Sequence, residues 1–136
     1  MKTLFLDFDG VLHPSSGLNK KLFSKIYLLD DLVSEFSFEV VISSTWRLYY
    51  DMNYLKGSLG KIGEKVIGVT GDSVSEPYAR YREIQEYVKL NSIRDWRALD
   101  DARQEFPSGE KRLIFCEPNL GVETKQLITL REWLSK

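Results

Sequence analysis

At 136 residues the chain is long enough to bury one substantial core and too short for two. Hydrophobic residues at 43% and charged residues at 29% exclude the disordered and fibrous classes, and 19 basic against 20 acidic residues leave no global field that would by itself mark a nucleic-acid binder, although a local basic rim stays open. A single cysteine, Cys116, excludes an internal disulfide, and without a charged start leading into an apolar signal core, or any long apolar run, the expectation is a cytoplasmic protein with no membrane contact.

Short β-rich runs alternate with longer stretches of helical period, the pattern of an α/β domain with a mostly parallel five-stranded sheet. The first strand is expected over residues 2–8, where Leu4, Phe5, Leu6 and Phe8 suit a central strand covered on both faces. Between residues 19 and 36, Leu22, Phe23, Ile26, Leu29, Leu32, Val33 and Phe36 recur at helical spacing, as one broken helix or two short ones. Asp30 and Asp31 fall inside that pattern and read as a solvated face or a helix cap. A second strand over 39–43 runs into Ser44-Thr45-Trp46-Arg47 and a helix through Tyr54. Glycines 57, 60 and 63 break that helix before a third strand, over 65–70, expected at an edge. Ser75 with Pro77 marks the start of a helix that carries Arg80, Arg82, Ile84, Tyr87 and Val88. A fourth strand over 95–99 delivers Asp100-Asp101. A fifth, over 112–116, makes Cys116 a buried structural thiol, and a last helix carries Leu127, Leu130 and Leu134.

In sheets of this kind ligands bind beyond the carboxyl ends of the strands, where the strand order reverses. Asp7 and Asp9, Ser43 and Ser44, and Asp100 and Asp101 all follow strands and should converge there. In Asp7-Phe8-Asp9-Gly10 two carboxylates two residues apart reach one ligand if the chain curls at the glycine. A DxDG string alone is more often an exposed acidic turn. Here it ends a buried apolar strand, where an uncompensated carboxylate would cost several kcal/mol, and that context favours function.

At these residues the chain resembles the haloacid dehalogenase (HAD) superfamily of phosphatases and phosphotransferases, in a Rossmann-like three-layer form. Leu6-Asp7-Phe8-Asp9-Gly10-Val11-Leu12 matches its first motif, in which the leading Asp attacks phosphorus and the second is general acid and base. The resemblance therefore implies that Asp7 is the nucleophile and Asp9 the proton carrier. Val41-Ile42-Ser43-Ser44 fits the second motif, a hydroxyl that binds phosphoryl oxygens, with Ser44 preferred and Ser43 the alternative. Arg80 or Arg82 fits the third, a cation offsetting charge on nucleophile and phosphate, where lysine is the commoner residue. Ala98-Leu99-Asp100-Asp101 fits the fourth, which completes a magnesium shell with Asp7 and the backbone carbonyl of Asp9, Asp101 standing nearby or binding through water. Val-Leu-His-Pro after the first motif and Ser-Ser-Thr-Trp-Arg after the second strand resemble a subgroup associated with RNA-repair proteins.

What the resemblance implies is a Mg2+-dependent phosphate monoester hydrolase working through an aspartyl phosphate. Magnesium would keep Asp7 ionised while Asp9 holds a proton. The gaps where the superfamily inserts a cap are filled here by helix from Asp9 to Ser44 and by helix and strand from Arg47 to Arg80, so neither holds one and the site is expected to be open. An open site favours a large phosphorylated substrate, such as a nucleic-acid end or a phosphoprotein, over an enclosed metabolite. His13 reads as a packing or surface residue. Trp46-Arg47 could hold a base and a phosphate, against packing of Trp46 into the domain. A receiver domain would need its phosphorylated aspartate at the end of the third strand, where this chain has Val69-Thr70, and an acid pair after the first, where it has DxD; a dehalogenase would lack the second acid, and a non-catalytic phosphate-binding domain would not need both Asp7 and Asp9.

Overall fold

β1 (Lys2–Leu6) takes the centre of a five-stranded, all-parallel sheet, flanked by β2 (Phe38–Ile42) and β4 (Trp96–Asp100), with β3 (Val66–Val69) and β5 (Leu113–Phe115) at the edges. This computed structural model describes residues 1–16, 21–72 and 75–136. The order β3-β2-β1-β4-β5 reverses at β1, so the crevice expected in a doubly wound sheet opens at the end of the central strand. β3 lies at an edge, as its sequence suggested.

Alternation along β1 sends Leu4 and Leu6 to one face and Phe5 to the other, and both faces are covered. The first face packs against α1 (Asp30–Glu35), α2 (Met52–Ser58) and α4 (Thr124–Leu134) through Leu32, Leu55, Leu130 and Trp133. The second packs against α3 (Ala79–Leu90) through Ile84, with Phe5 edge-on to Tyr87 at 5.8 Å and to Trp96 at 5.6 Å. The result is a three-layer α/β domain, and no cap domain is present among the described residues.

Several elements are shorter than their periodicity suggests, each for a local reason. β1 stops at Leu6 because the chain turns back on Phe8, whose carbonyl accepts from the amides of Val11 and Leu12. The stretch expected from residue 19 begins partly outside the described residues; within them Phe23 sits at φ 60, which no helix tolerates, and a 3-10 turn at Ile26–Leu29 leads into α1. Asp30 and Asp31 occupy the first turn of α1, where negative charge suits the helix dipole. The helix expected through Tyr54 divides into a 3-10 turn at Thr45–Leu48 and α2, whose cap is Asp51, accepting the Tyr54 amide at 2.8 Å. α3 begins at Ala79 rather than near Ser75 and Pro77, because Tyr78 lies at φ 58.

Candidate active site

The hydrogen-bond ladder runs one residue past the strands: Asp7 N–H donates to Leu99 O, Ser43 N–H to Leu6 O and Thr70 N–H to Ile42 O, at 3.0–3.1 Å. Since Leu6 pairs with Ile42 and Leu99, and Ile42 with Val69, residues Thr70, Ser43, Asp7 and Asp100 form one lateral row across four neighbouring strands. Two-residue periodicity gives this row the same face as Gly68, Val41, Phe5 and Ala98, the face that α3 covers. Arg80, in the first turn of α3, reaches into it.

Asp7, Asp100 and Asp101 each offer a carboxylate oxygen within 4.8 Å of the others. Asp7 is 5% exposed and Asp100 fully buried. Arg80 Nη1 lies 2.7 Å from Asp100 Oδ2 and 3.3 Å from Asp7 Oδ1. Asp100 Oδ1 accepts the Ala102 amide at 2.9 Å. One guanidinium cannot balance three acids. Burial, and then the charge of Asp100, hold the Asp7 carboxyl well above the usual range against the pull of Arg80. Asp101 is raised as well, chiefly by burial. Burial works against the charge on Arg80, but Asp100 and Asp7 outweigh it and keep it firmly cationic. An all-oxygen donor set with more negative charge than its surroundings neutralise fits a hard divalent cation.

Gly10 is needed for this cluster to close. Its φ is +76, and a Cβ there would stand 2.1 Å from Asp101 Oδ2. The turn thus brings bare backbone under the third carboxylate.

Asp9 has a different environment. Its side chain is 43% exposed and is not one of the three clustered carboxylates, so only its backbone carbonyl remains a candidate ligand. Trp46 Nε1–H donates to Asp9 Oδ2 at 3.1 Å, and His13 Nε2 lies 2.7 Å from Oδ1. The Phe23 amide donates to His13 Nδ1 at 3.2 Å, so the neutral ring carries its proton on Nε2, facing Asp9. His13 is fully buried, with Phe23 and Trp46 around it.

Among the residues singled out in the sequence, Asp7, Asp100, Asp101, Arg80 and Ser43 come together. Ser43 shares the face of Asp7, and its buried hydroxyl has no hydrogen-bond partner among the described residues. Ser44, preferred from sequence, stands one residue out of phase and caps the following 3-10 turn by accepting the Trp46 amide at 3.2 Å. Arg82 is exposed and donates to the Ser75 carbonyl instead of a carboxylate. Arg47 is committed to structure: it pairs with Glu83 at 3.0 Å and donates to the carbonyls of Ser44, Thr70 and Gly71. Cys116 is buried, and burial pushes its thiol up, away from reactivity. Sequence reasoning passed over His13 as a partner of Asp9. Its signal was the four-residue interval, but contact depends on the fold-back in which Gly10 N–H donates to His13 O at 2.9 Å.

Searches against curated proteins and solved structures returned no significant match. The family described as the HAD domain in Swiss Army Knife RNA repair proteins matches residues 3–127, a span that takes in all five strands but for the first residue of β1, the acid cluster, Arg80 and the Asp9–His13–Trp46 group. With the match covering nearly the whole chain, this protein belongs to that HAD domain family.

Proposed function

We propose that the chain, as a phosphatase-type hydrolase of the HAD family, is a magnesium-dependent phosphate monoester hydrolase that acts on the phosphorylated end of a large substrate, a nucleic acid. The observation that carries this reading is the separation of two acids only two residues apart: Asp7 is buried beside Arg80 and Asp100, while Asp9 stands apart on His13 and Trp46.

Asp7, Asp100, the Asp9 carbonyl and, directly or through water, Asp101 would hold Mg2+. When bound, the ion would offset the negative charge of these carboxylates and of the phosphate and keep Asp7 ionised. An Asp7 carboxylate oxygen attacks phosphorus in line. The bond from phosphorus to the ester oxygen breaks, its electron pair stays on that oxygen, and the proton held by Asp9 is transferred there. Water then attacks the aspartyl phosphate, Asp9 takes its proton, and Asp7 and inorganic phosphate are released. Arg80 offsets charge on Asp7 and on the phosphoryl group, and the Ser43 hydroxyl, otherwise unpaired, donates to a phosphoryl oxygen. The absence of a cap among the described residues supports a substrate too large to enclose, and the RNA-repair context of the family supports a nucleic-acid end.

Hydrolysis of p-nitrophenyl phosphate with and without MgCl2 tests the chemistry. Activity should require the metal and be lost in Asp7→Asn with the fold intact; an equally active Asp7→Asn protein refutes the nucleophile assignment.

A further inference from the structure

We infer that Trp46, Tyr49 and Tyr50 form a stacking subsite for an unpaired nucleobase adjacent to the scissile phosphate, which makes the preferred substrate a single-stranded nucleic-acid end; this rests on the phosphatase reading above. A cavity of about 340 Å³ is lined by Asp9, Thr45, Trp46, Tyr49 and Tyr50. It shares Asp9 with the reaction centre, so whatever fills it lies next to the leaving oxygen. Its volume is near the lower end of ligand pockets, roughly 300–1,000 Å³, which suits one nucleoside and not a folded segment.

Three of the five lining residues are aromatic. Trp46 and Tyr50 have centroids 5.5 Å apart, and Tyr50 stacks on Tyr54 at 4.8 Å with 18° between planes, extending an aromatic row along the surface from the cavity. Tyr49 is 79% exposed, Tyr54 54% and Tyr50 44%, a concentration of uncovered aromatic surface that core packing does not explain. Trp46 is held in place by its bond to Asp9 and by Phe8 and Phe23, so its ring is a fixed platform. Among the described residues, those that line the cavity include no basic side chain to seek a second phosphate. Flat, uncharged faces beside a phosphate-handling acid match a nucleobase. In a blunt duplex the terminal base is stacked on one face and paired along its edge, so only an unpaired end enters the subsite without first breaking that pair and stack.

The test compares kcat/KM for 5′- and 3′-phosphorylated single-stranded oligonucleotides with the same ends in blunt duplexes, with oligonucleotides whose terminal nucleotide is abasic, and with a phosphoserine peptide. Acetyl phosphate, which has no ring, reports the chemistry alone. The intact single strand should be preferred over its duplex and abasic counterparts by about tenfold or more, within the range of base–aromatic stacking. Tyr49→Ala and Tyr50→Ala should lower the ratio of oligonucleotide to acetyl phosphate turnover by a similar factor. In Asp7→Asn, a terminal 2-aminopurine should be quenched on binding, and the quench should be lost when Tyr49→Ala is added. Equal turnover of abasic and intact ends, or a peptide that is preferred and sensitive to the same tyrosines, overturns the subsite while leaving the phosphatase intact. Failure of acetyl phosphate and p-nitrophenyl phosphate alike would instead refute the phosphatase reading.

Discussion

His13 Nε2 lies 2.7 Å from Asp9 Oδ1, and the opposite nitrogen of the same ring is held by the Phe23 amide. A buried imidazole fixed at both ends orients the carboxylate next to it, and Trp46 holds the other oxygen.

If Asp9 delivers a proton to the leaving oxygen, its orientation matters most for leaving groups that need the proton. His13→Ala should slow hydrolysis of an alkyl phosphate by about tenfold or more and that of p-nitrophenyl phosphate much less, and His13→Gln, which keeps a donor near the Nε2 position, should recover part of the loss. Asp9→Asn should slow the alkyl ester by about 10² or more. Steady-state kinetics across esters of graded leaving-group acidity checks this. A uniform loss across the series would reduce His13 to a packing residue.

Burial and the charge of Asp100 raise the Asp7 carboxyl, so without metal the native state holds that proton to higher pH than the unfolded chain does. The contribution of Asp7 to folded stability is therefore full below the ordinary carboxylate pKa of about 4 and is lost as pH rises through the raised native value; Asp101 contributes in the same direction. A divalent cation binds the ionised form, so its stabilising effect grows with pH. Thermal unfolding in EDTA and in MgCl2 should show a clear magnesium-dependent rise in Tm at about pH 7.5 that disappears near pH 4, and Asp100→Asn should shrink it. A gain of equal size at both values would mean that the cation binds elsewhere.

Gly10→Ala tests the contact under Asp101. The added methyl meets Asp101 Oδ2 in a backbone conformation that alanine resists, so Asp101 must move. We expect the magnesium concentration for half-maximal activity to rise by about tenfold, with a loss of about 1 kcal/mol or more in stability measured by urea unfolding. An unchanged magnesium requirement would remove Asp101 from the cation shell.

The two serines at the end of β2 should separate by assay. Ser43→Ala removes a buried hydroxyl that has no partner, so it should leave stability nearly unchanged or improve it while lowering kcat/KM by about tenfold. Ser44→Ala removes a cap and should cost about 1 kcal/mol of stability with a smaller effect on turnover. The reverse pattern would restore Ser44 as the phosphate contact.

Much of the architecture could be read from the chain because apolar runs such as Leu4-Phe5-Leu6 have few alternatives to a strand covered on both faces. All five strands lie where the pattern put them, within a residue or two at each end. Helix starts were harder, since Phe23 and Tyr78 adopt left-handed conformations that carry no compositional mark. In the site, strand ends announced Asp7 and Asp100, but choosing Ser43 over Ser44 or Arg80 over Arg82 needs the phase of a strand or helix to one residue. The partners of Asp9 were invisible for another reason: His13 and Trp46 meet it only after separate loops fold onto one another.

Because the reversal of strand order seats β4 directly beside β1, Asp7 and Asp100 become neighbours only when the chain as far as β4 has been threaded into the sheet. Under the proposed mechanism, a nascent or clipped chain ending before β4 would carry Asp7 without Asp100 and should cleave nothing. On that mechanism, loss of turnover in denaturant should coincide with loss of the tertiary fluorescence of Trp96, on the same strand.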